Sequence, residues 1–268
     1  MLRIACMPVP LKSRNKRSGA PALEPPRFMP HLPVLSKSQI DHLGDRLRAG
    51  SLNENDLRTL DDYRRSFSEA YETIVGVLRE RLLLEPTGRP AKSTSSILEK
   101  LHRESIRLSQ MQDIAGCRVV VADTTRQMSV ATSICNTFAK TTLTDRRTNP
   151  SHGYRAVHVI IQHLDKLIEI QIRSILQHLW AELSEKLSDK DPGIKYGKGK
   201  VETQQALIKI SDFIKNIEEN EIKVLNLQKW NPADNELLQL QRQVIHIKSK
   251  LAKILSKAIS QEAKGDQR

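Results

Sequence analysis

Two carboxylates in this chain stand where they can do chemistry. Asp113 comes just before the apolar run CRVVVA at 117–122, and Glu169 lies inside LIEIQIRS, alternating with Ile168, Ile170 and Ile172. In a strand, neighbours point to opposite faces, so Glu169, Gln171 and Arg173 form a polar row and the isoleucines an apolar one. Two basic stretches flank these runs. GRPAKSTSSILEK carries Arg89, Lys92 and Lys100, and RRTNPSHGYRAVH carries Arg146, Arg147, His152, Tyr154, Arg155 and His158. With cations on both sides, the row reads as the wall of a polar cleft. Paired carboxylates can hold Mg²⁺, which takes oxygen ligands, and Lys and Arg can neutralise a polyphosphate on that metal. Tyr154, next to Gly153, offers a ring on which a base can stack. These residue types suit phosphoryl or pyrophosphoryl transfer from a nucleotide, where catalysis is mostly positioning and charge stabilisation. The chain has no GxxxxGK[ST] loop, GxGxxG fingerprint or HRD/DFG set, so the phosphates must be held by side chains.

The elements that must position these residues can be read from periodicity. A short helix is expected over 38–49, ended by Gly50. Leu57, Leu60, Tyr63, Phe67, Tyr71, Ile74, Leu78 and Leu82 recur every three or four residues and predict one longer helix, stopped by Pro86, Gly88 and Pro90. A short helix follows over 96–105. Then come a buried strand at 117–122, a helix at 126–140, a short strand at 141–147 and strands at 156–163 and 166–173. The short link at Leu164 and Asp165 makes the last two a hairpin, so the sheet is partly antiparallel. A helix over 175–188 closes the core, and DPGIKYGKGK is a loop. His178 and Trp180 on that helix read as support. Beyond it, Leu207, Ile210, Ile214 and Ile217, and then Leu237, Leu240, Val244, Ile247, Leu251 and Ile254, are spaced as a heptad seam. The expectation is a helical hairpin, with pairing to a second chain as the alternative.

Composition bounds the rest. In 268 residues there are 43 Lys/Arg against 31 Asp/Glu, a net charge of +12. Residues 1–33 carry six Lys/Arg, one acid and seven of the twelve prolines, a composition that does not offset its ordering entropy. The expected division is therefore a disordered basic tail at 1–35, a catalytic domain at 36–195 and a helical region at 196–268. Cys6, Cys117 and Cys135 form no CxxC pair, which argues against a disulfide framework or a zinc site. No apolar run is long enough to span a membrane, and the first residues do not form a signal peptide, so a cytoplasmic protein is expected.

The series GRPAKSTSSILEKL, QDIAGCRVVV, PSHGYRAVHV and EIQIRSILQHLWAELSEK resembles, in order and spacing over about residues 55–195, the synthetase domain of the RelA/SpoT family. That resemblance implies an α/β (α+β) fold related to the nucleotidyltransferases, a mixed sheet flanked by helices. It implies transfer of pyrophosphate from ATP to the 3′-hydroxyl of GDP or GTP, with Mg²⁺, giving the alarmones ppGpp and pppGpp. Asp113 would be a Mg²⁺ ligand, and Glu169 a second ligand or the base that activates the hydroxyl. Arg89, Lys92 and Lys100 would hold ATP, Arg118 would stack on adenine, and Tyr154, His158 and Gln171 would receive the acceptor. Two features depart from the family's pattern. Ala91 lengthens the usual RxK spacing, and Ser151 stands where many members have a lysine after the proline. The second departure opens an alternative, a toxin that pyrophosphorylates the 3′-CCA end of tRNA and is paired with an antitoxin protein. A further alternative is an inactive module that senses nucleotides, which the two intact carboxylates argue against. The family's hydrolase and regulatory domains are not expected in this chain.

Overall fold

The computed structural model describes residues 35–265, so the expected basic tail and Cys6 lie outside the described residues. Three helices come first: α1 (Lys37–Ala49), α2 (Glu54–Arg65) and α3 (Ser68–Glu80). Ser36 and Gln39 close a reciprocal capping box at the start of α1, and Gly50 ends it at φ 72°. Periodicity predicts one helix where α2 and α3 are two. The chain turns at Ser66 and Phe67, whose backbone amides bond to Asp62 and Arg64, while Tyr63 and Phe67 meet edge to face at 5.2 Å. The apolar stripe stays in phase across the turn, except that Leu57 is exposed.

The sheet has the order β1-β2-β5-β4-β3. Its strands are β1 (Thr87–Arg89), β2 (Ala115–Val121), β3 (Thr141–Asp145), β4 (Val157–His163) and β5 (Lys166–Ser174). β2 and β5 are parallel and every other pairing is antiparallel, which bears out the expected mixed sheet. The β4–β5 hairpin turns through Leu164 and Asp165, both at positive φ. β1 lies inside the Pro86–Pro90 stretch that the sequence reads as a stop; three residues show no period, and pairing with β2 makes them a strand.

Helices α4 (Thr94–Arg103) and α5 (Thr124–Thr137) join these strands. Helices α3 and α5 cover the apolar face, where Ile168, Ile170 and Ile172 are completely buried with Val119, Val157 and Val159. Helix α6 (Ile175–Lys190) leaves the end of β5 through a Ser174–Gln177 capping box and reaches back to β2. A second core joins α6 to α7 (Val201–Trp230) and α8 (Asn235–Gly265), around Leu176, Trp180, Leu207, Ile214, Val244 and Leu255. The expected hairpin is present, but α8 uses only part of the heptad seam. Leu240, Ile247 and Ile254 stay exposed, and the buried line passes instead through Val244, Leu251 and Leu255.

Candidate active site

Asp113 sits in the turn entering β2, with one carboxylate oxygen on each of two ammonium groups. Lys92 Nζ donates at 2.7 Å and Lys100 Nζ, from α4, at 2.8 Å. Burial alone would push this carboxyl up, but the two lysines outweigh it and hold Asp113 below its ordinary value. Beside it runs β5, where Glu169 is paired with Gly116 of β2. A Cβ at Gly116 would stand 2.5 Å from the Glu169 carbonyl oxygen, so glycine is what lets the strands close here. Asp113 and Glu169 are near enough for the charge of one to raise the pKa of the other. The structure thus brings together the two carboxylates singled out in the sequence.

On the polar face of β4 and β5 five side chains form a closed ring. His158 Nδ1 lies 2.9 Å from Glu169 Oε1, and Gln171 donates to Glu169 Oε2 at 2.7 Å. One Arg173 nitrogen donates to Gln171 at 2.8 Å and to the Tyr154 hydroxyl at 3.1 Å, and that hydroxyl lies 3.0 Å from His158 Nε2. A carboxylate only accepts, so Nδ1 carries the proton and Nε2 accepts from the tyrosine. Burial pushes Glu169 up; the His158 and Gln171 hydrogen bonds overcome this and leave it lowered, an anion at neutral pH. Tyr154 is half-buried and its phenol is raised, chiefly by burial.

The loop before β4 is held from outside the sheet. Gly153, at φ 91°, has no room for a side chain: a Cβ would lie 2.8 Å from the Trp180 ring. Its carbonyl accepts from Ser211 Oγ at 2.6 Å. Arg155 is buried, donating to Ser211 at 2.9 Å and to Asp212 at 2.8 Å. Trp180 donates to the Leu207 carbonyl at 2.7 Å, the supporting role expected of it.

Residues 88–193 match the family described as the region found in RelA / SpoT proteins. Over this stretch the chain is similar to RelA/SpoT proteins. It is 40% identical over 116 residues to the uncharacterized protein Rv1366 of Mycobacterium tuberculosis, covering 41% of this chain and 40% of that one. It is 31% identical over 137 residues to the GTP pyrophosphokinase YjbM of Bacillus subtilis, covering 45% of this chain and 63% of the relative. The chain therefore spans about two fifths of the mycobacterial protein it matches and less than two thirds of YjbM. Among solved structures, the small alarmone synthetase 1 from Bacillus subtilis bound to its product pppGpp aligns at 24% identity and a TM-score of 0.49, over 65% of this chain and 98% of that one.

Every site residue expected from the sequence lies inside the RelA/SpoT region. Lys92, Lys100 and Asp113 meet at the turn entering β2, and Tyr154, His158, Glu169 and Gln171 meet in the ring. The Arg89 backbone pairs with Gly116, in the same cross-strand rank as Glu169. Arg118, opposite Gln171, is tied by a 2.7 Å ion pair to Glu182 of α6. Three residues that shape the site were not singled out by sequence reasoning: Glu182, Ser211 and Asp212. The last two lie on α7, beyond the matched region, and carry no local signal, because their role comes from a contact more than fifty residues away. His178, on α6, lies 3.9 Å from Glu182, and its pKa is lowered by burial.

As oxygen donors beside several cations, Asp113 and Glu169 fit a hard divalent ion. Among the described residues no group of three or more His, Cys, Asp or Glu side chains converges. Mg²⁺ typically takes one or two protein carboxylates and completes its shell with phosphate and water, which agrees with this donor set.

Proposed function

We propose that the protein is an ATP-dependent pyrophosphotransferase acting on the 3′-hydroxyl of a guanosine nucleotide: ATP + GDP or GTP → AMP + the 3′-pyrophosphate. The observation that carries this is the placement of two ionised carboxylates, Asp113 and Glu169, near each other, with Lys92 and Lys100 on Asp113. The match to the RelA/SpoT region and the kinship with YjbM support it.

Before substrate binds, Lys92 and Lys100 neutralise Asp113. An arriving triphosphate offers them stronger partners, so the lysines turn to the phosphates and release the carboxylate. Asp113 and Glu169 would then hold Mg²⁺, which supplies charge neutralisation for the phosphates. Glu169 is kept ionised by His158 and Gln171, and its role is to receive the proton of the attacking 3′-hydroxyl. Tyr154, steadied by Arg173 and His158 through its hydroxyl, presents its ring to the acceptor base. The anchoring of Gly153 and Arg155 on α7 keeps that ring in place, so the C-terminal helices serve the acceptor end of the reaction.

A second reading has the 3′ end of tRNA as acceptor. It is favoured by the missing loop lysine at Ser151 and by the exposed Arg146 and His152 nearby. Both are tested by incubating the protein with Mg²⁺, ATP labelled at the γ-phosphate and, separately, GDP, GTP or deacylated tRNA. Labelled guanosine 3′-pyrophosphate is expected, with one AMP formed per transfer. Label on tRNA alone would replace the first reading by the second, and label on none would end both.

A further inference from the structure

Leu240, Ile247 and Ile254 belong to the heptad seam read in the sequence, yet the fold leaves them open to solvent. They recur every seven residues along one edge of α8 and are 43%, 44% and 55% exposed, while Val244 and Leu255 close the second core. Residues seven apart lie about 20° apart around a helix, so the three form a nearly straight stripe. Fourteen residues of helical rise make it about 21 Å long. A stripe one residue wide suits a seam that receives another helix, and it does not suit a face that lies on a plane.

The charge beside the stripe is of one sign. From Leu237 to Gln261, α8 carries Arg242, Lys248, Lys250, Lys253 and Lys257 and no Asp or Glu. Lys248 is held by Glu221 of α7 at 2.7 Å. The other four are exposed, and the ion pairs of α8 among the described residues, Lys248 with Glu221 and Glu262 with Lys190, involve none of them. Lys250 and Lys257 follow Ile247 and Ile254 by three residues, which sets each cation next to an exposed isoleucine. Arg242 and Lys253 lie further round the exposed side.

Charge and shape separate the occupants this edge could have. Over the length of the stripe a second α8 offers the same cations and no acid to answer them, and like charges brought together repel. Residues 1–33 carry six Lys/Arg and one acid, so that segment has the wrong sign as well. An anionic membrane has the right sign, but the broad apolar side of α8 is taken up by the second core, and three aliphatic side chains with no aromatic among them are a narrow anchor. A helix with aliphatic residues at seven-residue spacing and Asp or Glu beside them matches both the stripe and the charge.

We propose that the exposed edge of α8 docks an acidic amphipathic helix of a partner protein. Its aliphatic residues would pack on Leu240, Ile247 and Ile254, and its carboxylates would pair with Lys250 and Lys257. Docking there is independent of the pyrophosphotransferase reading, since a chain that transfers nothing can still bind a helix on α8.

The experiment titrates the whole chain into a fluorescein-labelled peptide of three heptads, about 21 residues, with Leu and Ile at the seam and Glu beside them, and follows anisotropy. A second peptide carries Lys in place of every Glu. Wild type is expected to bind the acidic peptide at least about 10-fold more tightly than the basic one. The double variant Ile247→Ser, Ile254→Ser should lose at least about 10-fold in affinity for the acidic peptide. The double variant Lys250→Glu, Lys257→Glu should reverse the preference and take the basic peptide, which a contact made by apolar surface alone would not do. All four positions are exposed, so both variants should keep the wild-type circular dichroism and melting temperature. No binding of the acidic peptide, equal binding of the two peptides, or a preference that survives the charge reversal would overturn the proposal. Sedimentation that shows a wild-type dimer dissociated by Ile247→Ser, Ile254→Ser would also overturn it and give the edge to a second copy. Binding to phosphatidylserine vesicles without binding to the acidic peptide would overturn it in favour of a membrane surface.

Discussion

Asp113 and Glu169 are both buried enough to resist ionisation, and both are kept ionised, by different means. Two ammonium groups surround Asp113, whereas a histidine and an amide hold Glu169. The difference suits different tasks: lysines can exchange a carboxylate for a phosphate, and a hydrogen-bonded carboxylate stays in place to receive a proton. A carboxyl lowered on folding contributes stability that is fully present above its unfolded value, about 3.9 for aspartate, and is lost as pH falls through the lower folded value. The melting temperature of wild type should therefore fall on acidification below about pH 4 more steeply than that of Asp113→Asn. Parallel curves from about pH 3 to pH 7 would show that the two lysines do not couple Asp113 to folding. At this scale the alternation of Glu169, Gln171 and Arg173 with isoleucines was legible in the sequence. What could not be read was that Arg173 joins Gln171 to the Tyr154 hydroxyl, since that depends on how β4, β5 and the loop before β4 pack together.

At the scale of elements, periodicity located most of the helices and the β4–β5 hairpin and failed where its signal is blind. The two-residue turn at Ser66 and Phe67 leaves the apolar stripe of α2 and α3 in phase. β1 is a strand only because β2 is beside it. In α8 the heptad pattern marks more positions than one interface uses, so the sequence does not say which edge of the seam faces α6 and α7. Neighbouring residues test the answer: Leu255 is 2% exposed and Ile254 55%. Leu255→Ala should cost about 2–5 kcal/mol, the range for truncating a core leucine. Ile254→Ala should cost under about 0.5 kcal/mol, as for surface changes away from special features. Denaturant titration measures both, and equal costs would mean that the exposed edge of α8 is covered in solution by another chain.

At the scale of the molecule, the described residues form two cores, one under the sheet and one between α6, α7 and α8, and Tyr154 packs against the second. The stretch similar to RelA/SpoT proteins covers the sheet and α6, and α7 beyond it holds Gly153 and Arg155 through Ser211 and Asp212. Of the net +12, residues 34–200 contribute only the difference between 26 basic and 21 acidic side chains. Placement matters more than that total: Lys92 and Lys100 meet at Asp113, Arg118 is held by Glu182, and Arg173 joins Gln171 to Tyr154. Among the described residues no helix is long and apolar enough to cross a membrane. Glu169 is the residue on which the account depends most, because it joins the carboxylate pair to the ring around Tyr154. The rate of label transfer from γ-labelled ATP to GDP by Glu169→Gln, with folding checked by circular dichroism, is the most direct measurement. A loss of about 10²–10⁴-fold, the usual contribution of a general base, is predicted in a folded protein; transfer at the wild-type rate would contradict the account.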